Sequence, residues 1–298
     1  MVKTAGFIVE LRDVHLVLRG GRELQVDTLA VEPGQRVALF GGTGAGKSLL
    51  LRLLGGTIRP GAGQRIAAPS LGPPGGVQLV PRYPKIPAFL TPQQVLALAY
   101  RGMGVVQRAA RTAEALAAAD LYGVRHRPLY GLSEGSRLAL SVAKAAAMRP
   151  ALLLLDDCTR TLPEPVARRI WQYLEDRRAE DGLTVVFATT RSDEAEEADR
   201  VVLMDGGRIL RTAPPHELLA AASAHRVTVE ALDARQVSRT IRGGFDLEVE
   251  DEDRRVTFRA SDGGLAAADL FRHAGDIVRM VTVRRPSLWD VLDELRRL

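Results

Sequence analysis

Gly41-Gly42-Thr43-Gly44-Ala45-Gly46-Lys47-Ser48 fits the pattern G-x-x-x-x-G-K-[ST] without a gap. Before it, Arg36-Val37-Ala38-Leu39-Phe40 reads as a short apolar strand. After it, Leu49-Leu50-Leu51-Arg52-Leu53-Leu54 reads as the first turns of a helix. In that setting the successive backbone N–H groups of the loop form an anion nest, and the helix N-terminus adds partial positive charge. The glycines permit positive φ and close backbone approach. Lys47 is placed to reach the β- and γ-phosphates of a nucleotide, and Ser48 to offer its hydroxyl to Mg2+. A glycine-rich turn matching by chance is the alternative, and eight residues with the right flanks on both sides make it the weaker one.

Composition narrows the class. The chain has 298 residues, 46% hydrophobic and 26% charged, which suits a globular protein of one large domain or two unequal ones. Its one cysteine, Cys158, excludes a disulfide framework and fits a reducing compartment. The N-terminus has no apolar h-region, so no signal peptide is expected, and no run approaches the ~20 apolar residues of a membrane-spanning helix. Any membrane role is therefore expected to pass through a separate chain. The net charge of +5 would suit nucleic acid or an anionic surface, but the arginines are dispersed and few aromatics interleave them. A solvated surface is the favoured reading, and no nucleic acid partner is expected.

Along the chain, residues 7–18 alternate as a strand, 24–31 return as a second, and a turn at Glu32-Pro33-Gly34 leads to the strand before the glycine loop. Residues 55–76, rich in Gly and Pro, read as loop with a short strand at most. Residues 76–81 form a short strand. Thr91 caps a helix with Pro92 at its first position. Helices are predicted over 109–121, 136–148 and 165–178, a short one over 193–198, and buried strands over 151–155 and 184–189. A hairpin turns at Asp205-Gly206-Gly207. The predicted architecture is an α/β P-loop NTPase domain over 1–222, with a helical insert at about 84–150. A boundary near 220–224 separates it from a small α/β domain over 225–298. There, strand 227–232, helix 234–241, strands 245–250 and 254–259, helix 265–273, strand 277–283 and helix 287–297 give a ferredoxin-like order.

Two more stretches carry chemistry. Leu152-Leu153-Leu154-Leu155-Asp156-Asp157 is an apolar strand, expected beside the phosphate loop, that ends in a carboxylate. Asp156 is the residue read as holding Mg2+. Leu132-Ser133-Glu134-Gly135-Ser136-Arg137 opens a helix. At this point the chain resembles the ABC-transporter ATPase family, whose phosphate loop, Q-loop, LSGGQ signature, Walker B strand, D-loop and H-loop can all be located in order over residues ~7 to ~212. The resemblance implies a dimer of ATPase domains, each ATP held between one subunit's phosphate loop and the other's signature. Ser133 and Gly135 keep the signature's hydroxyl and N–H donors, while Glu134 and Ser136 stand where the family has glycine and glutamine.

Other positions depart from the family together. The general-base glutamate is Asp157, one methylene shorter, and a base out of reach of its water is a poor base. The Q-loop glutamine falls on Arg82, which has no acceptor. The H-loop histidine falls on Thr190 and the D-loop aspartate on Pro163. The adenine-stacking aromatic is Leu18, which can pack on a base but not stack. Loss of such a base costs ~10²–10⁴-fold, and Arg82 and Arg191 are read as able to face phosphate charge. All these positions lie on the Walker side, whereas the signature serves the partner's site. A heterodimer with one silent and one live ATP site is therefore expected. A homodimer in which Asp157 suffices, and a soluble ABC protein without a permease, are the other readings.

The ending Arg285-Pro286-Ser287-Leu288-Trp289-Asp290-Val291-Leu292 is similar to the close of accessory domains on type 2 ABC exporter ATPases, and also to any amphipathic closing helix. The family's contact with its membrane permease maps to residues 83–99, where Ile86, Phe89 and Leu90 are either contacts or core. The expected whole is an ATP- and Mg2+-binding subunit at the inner face of the cell membrane.

Overall fold

A computed structural model describes residues 6–17, 21, 23–72, 76–221, 225–244, 249–252, 254–260 and 262–297. The chain divides into two compact units between Pro214 and Pro215.

In the first unit, β1 (Val9–Val17) and β2 (Glu23–Val31) pair antiparallel with Val9 opposite Val31. Burial alternates from Asp13 to Val17 and from Glu23 to Asp27, where one face packs on the core and the other meets solvent, while Val9-Glu10-Leu11 are all buried. β3 (Arg36–Phe40) is buried at every residue, as a strand covered on both faces must be. The phosphate-loop stretch leads from it into α1 (Lys47–Leu54), which buries Leu50, Leu51, Leu53 and Leu54. The glycine-rich stretch that follows contains more order than its composition suggests. β4 (Ala62–Ala67) pairs antiparallel with β1 across a register shift between Arg12 and His15.

Beyond β5 (Val77–Val80) the chain runs through three helices, α2 (Pro92–Ala99), α3 (Val105–Ala118) and α4 (Glu134–Ala147). The start of α2 is fixed by a capping box: Gln94 N–H donates to Thr91 Oγ1 at 3.3 Å, and Thr91 N–H donates to Gln94 Oε1 at 2.9 Å. β6 (Leu152–Asp156), α5 (Glu164–Asp181), β7 (Thr184–Thr189), the short α6 (Ser192–Glu196), β8 (Arg200–Asp205) and β9 (Arg208–Ala213) complete the unit. α5 stops where Gly182 takes φ +68°.

These strands form one mixed sheet, ordered β4-β1-β2-β9-β8-β3-β7-β6-β5. β3, β7, β6 and β5 are parallel neighbours, so the loops that leave their carboxyl ends open along the same edge. β6 is not next to β3, because β7 lies between them. What brings Asp156 to the phosphate loop is α1, which lies over β6 and β7 and carries Ser48 across. Among the described residues no helix is long and apolar enough to cross a membrane.

The second unit begins with α7 (Pro215–Ala221), which packs on α10 (Leu288–Arg297). That helix is missing from the sequence reading, which put the domain boundary several residues later, within and just after it. Between α7 and α10 the order is β10 (His225–Ala231), α8 (Ala234–Gly244), β11 (Val249–Glu252), β12 (Arg255–Ala260), α9 (Gly263–Ala274) and β13 (Val278–Arg284). The four strands are antiparallel in the order β11-β12-β10-β13. Of the strand expected over 245–250, residues 245–248 lie outside those described. Val227, Val229, Val237, Ile241, Val256, Phe258 and Leu270 fill this unit's own core.

Candidate functional site

The glycine loop is locked by steric needs that only glycine meets. A Cβ at Gly41 would stand 2.1 Å from the Met204 carbonyl oxygen. Gly46 takes φ +97° as the residue before α1, where a Cβ would also press on Leu24 and Gly207. Lys47 Nζ donates to the carbonyls of Gly41 at 2.6 Å and Gly42 at 2.8 Å, closing the loop on itself. Burial lowers the Lys47 pKa, and the Asp157 and Asp156 carboxylates oppose that shift.

Ser48 Oγ donates to Asp156 Oδ1 at 2.8 Å. Two residues 108 positions apart thus present two oxygens together at the start of α1. That donor set fits a divalent cation that also takes phosphate oxygens and water. At the neighbouring position the donor set ends, because Arg82 brings a cation and no acceptor.

Arg82, Asp157 and Arg160 form one cluster. Arg82 Nε lies 3.5 Å from Asp157 Oδ2, and Arg160 Nε lies 3.4 Å from the same oxygen. The sheet register builds the first pair: β5 and β6 are parallel with Val80 opposite Leu155, so two residues further along each chain Arg82 comes level with Asp157. Asp157 takes φ +54°, a left-handed conformation that Asp and Asn tolerate better than other non-glycine residues, and its N–H donates to the Ala188 carbonyl at 3.1 Å. Its side chain is 12% exposed. Burial raises the Asp157 pKa, with Arg82, Arg160 and Lys47 pulling it back.

Thr190 follows β7 and is half-buried. Arg191, expected to face phosphate charge, instead pairs with Asp193 and lies 3.9 Å from a Glu164 carboxylate oxygen. Beside it the structure reveals a residue that sequence reasoning missed. Glu194, buried in α6, accepts from Thr189 Oγ1 at 2.6 Å, from Trp171 Nε1 at 3.1 Å and from the Thr159 hydroxyl. One carboxylate therefore ties the end of β7 to the turn after Asp157. Cys158 is buried in that turn, and burial pushes its thiol pKa up, which makes it unreactive. Leu18 lies outside the described residues.

Ser133 is the N-cap of α4. Its Oγ accepts from Ser136 N–H at 3.1 Å and donates to Ser136 Oγ at 2.9 Å. Glu134 is exposed in the first turn, Gly135 is buried, and Leu132 offers its carbonyl to Arg137 Nη1 at 2.8 Å. Of the apolar residues after Arg82, Phe89 is 73% and Tyr83 66% exposed, while Ile86 and Leu90 are half-buried, so none belongs to the buried core.

A family model described as "ABC transporter" matches residues 24–160. Over 218 residues the chain is 34% identical to a lipoprotein-releasing system ATP-binding protein of Rhodospirillum rubrum, covering 67% of this chain and 91% of that protein. The chain belongs to the ABC-transporter ATP-binding proteins. It is also 32% identical, over 222 residues, to a methionine import ATP-binding protein of Mesorhizobium japonicum, covering 68% of this chain and 60% of that one. It spans 60% or less of the length of several such relatives. A dimeric ATP-binding cassette solved in a post-hydrolysis state with ADP and Pi shares the fold, with TM-score 0.62 at 24% identity over 70% of this chain and 98% of that one. ABC ATPases bind ATP, normally with Mg2+, and pair with membrane permease components.

Proposed function

We propose that this chain is the catalytically degenerate ATP-binding subunit of an ABC transporter, held at the inner face of the membrane by a separate permease and paired with a non-identical, active ATPase subunit. Residues 41–48 and Leu18 bind the nucleotide, and Ser48 and Asp156 are the oxygens on which Mg2+ would sit to neutralise phosphate charge. Residues 132–136 complete the partner's ATP site, with Ser133 and Gly135 as donors to its phosphate.

The observation that carries this reading is Asp157 between Arg82 and Arg160. A general base needs a free oxygen within hydrogen-bond reach of its water and a suitable pKa. Here the carboxylate is short, mostly buried and paired with two guanidinium groups. Thr190 brings no imidazole. The phosphate loop and the cap at Ser133 stay well formed, so binding and closure survive where proton abstraction does not. Exposed Phe89 and Tyr83 supply the apolar contact with the permease.

Two features bear on the direction of transport. The βαββαβ order and strand order of the second unit support a ferredoxin-like accessory domain, and with residues 285–292 they support an exporter. Against this, the matched relatives are mostly named for import, of methionine, spermidine, cobalt or iron. One is named for lipoprotein release.

The test uses the purified chain alone: ATP binding by equilibrium titration, with phosphate release in the same buffer. Binding without turnover is the expected result. Turnover of about 1 s⁻¹ or faster, within the ordinary enzyme range, would instead mean that Asp157 suffices and that a homodimer is the working form.

A further inference from the structure

We propose that this site holds ATP without requiring a divalent cation, because Arg82 and Arg160 supply the positive charge that the metal supplies elsewhere in the family. The inference rests on the assignment of residues 41–48 as the nucleotide site.

Lys47, Asp156, Asp157, Arg82 and Arg160 form one connected set of charges: Lys47 feels both aspartates and Arg82, Asp157 feels all four others, and Arg160 joins the set through Asp157. Three cations against two carboxylates leave one net positive charge. At the same positions the family pattern has lysine, aspartate, glutamate, glutamine in the Q-loop and, with Cys158-Thr159-Arg160-Thr161-Leu162-Pro163 set against its D-loop PTSGLD, serine where Arg160 stands. That set has one cation against two carboxylates and carries one net negative charge. Bringing a triphosphate to such a set needs a divalent cation. The difference between the two sets is two positive charges, the charge of one Mg2+.

Geometry agrees with the count. Both arginines meet Asp157 through Nε. These contacts are ion pairs, Arg82 also lies over the Tyr83 ring at 5.5 Å, and the terminal nitrogens are the part of the fork suited to phosphate oxygens. The side chains are 35% and 51% exposed, so both can be reached from solvent. Asp157 orients the two guanidiniums rather than a water molecule.

The experiment is calorimetric titration of the full-length chain with ATP, in excess Mg2+ and again in excess EDTA, for the natural protein, Arg82→Gln and Arg160→Ser. For the natural protein the two Kd values are expected to agree within about threefold. Each variant should bind about tenfold more weakly in EDTA, with most of the loss recovered by Mg2+. Lys47→Ala should bind weakly in both buffers, which shows that the titration reports the loop. Two results overturn the proposal: a loss of about thirtyfold or more on metal removal from the natural protein, or variants with the same metal dependence as the natural protein. Arg160 is half exposed, so its variant is expected to fold even if Arg82→Gln does not. ATP turnover does not enter this readout, so a hydrolytically active chain would refute the degenerate-subunit reading and leave this one standing.

Discussion

Arg82 Nε stands 3.5 Å from Asp157 Oδ2, and these are the two residues that the sequence reading sets at the family's Q-loop glutamine and catalytic glutamate. Taken separately, they are two departures from a motif. Together they are one ion pair, joined by Arg160. An arginine beside a working base would bind the base itself, while an unpaired aspartate in this half-buried place would lack a counter-charge. Each substitution makes the other tolerable.

The first prediction follows from that coupling. Asp157→Glu alone is expected to leave phosphate release close to that of the natural chain, because Arg82 and Arg160 still occupy the carboxylate and Thr190 still offers no imidazole. Glutamate also suits φ +54° less well than aspartate. The combined variant Asp157→Glu, Arg82→Gln, Arg160→Ser and Thr190→His should raise turnover by ~10²-fold or more. A full rate from Asp157→Glu by itself would show that the arginines do not matter.

The second concerns pH. Burial raises the Asp157 pKa in the folded protein, so the folded state binds this proton more tightly than the unfolded state does. The contribution of Asp157 to stability therefore falls as pH rises from the ordinary carboxylate value of about 3.9 through the raised folded value. Asp157→Asn carries no charge at any pH and keeps a residue type that accepts positive φ. Its melting temperature should equal or exceed that of the natural chain at neutral pH, and the gain should vanish near the ordinary carboxylate pKa. A clear loss at neutral pH would mean that the two arginine pairs outweigh desolvation.

What could be read from sequence was whatever is contiguous. The loop at 41–48, Thr91 with Pro92, the all-leucine strand before Asp156 and the cap at Ser133 each lie within a few residues, where spacing alone fixes geometry. The Arg82–Asp157 pair joins residues 75 positions apart through the β5–β6 register. It becomes legible only once those strands are known to be parallel neighbours with Val80 opposite Leu155. The approach of Glu164 to Arg191, 27 positions apart, is hidden in the same way, whereas the Arg191–Asp193 pair spans only two residues and is a local contact that spacing alone does not fix. α7 escaped because Pro-Pro at 214–215 reads as a break, although Pro215 sits where helices accept proline and Leu218 is fully buried.

Gly41 supplies the third prediction. A Cβ there would lie 2.1 Å from the Met204 carbonyl oxygen, far inside contact distance and against backbone rather than a movable side chain. Gly41→Ala must push the loop away from β8, and with it the two carbonyls that hold Lys47. ATP affinity measured by titration should fall at least about tenfold, while the melting temperature of the second unit, which has its own core, should change little.

The fourth prediction isolates Glu194. Its buried carboxylate accepts from Thr159, Thr189 and Trp171. Glu194→Ala leaves the buried Thr159 and Thr189 hydroxyls and the half-buried Trp171 N–H without this acceptor, and at ~1–3 kcal/mol for each of the two buried groups left unsatisfied the loss should be about 2 kcal/mol or more. Glu194→Gln keeps one acceptor oxygen and should cost less. The loss should also reach the site, because Thr159 lies in the turn that carries Asp157 and Arg160, and Thr189 ends the strand before Thr190. Denaturant unfolding gives the first quantity, and ATP titration at a temperature where the variant is folded gives the second. If Glu194→Ala is as stable as the natural chain, the three hydrogen bonds are not what holds the two turns together.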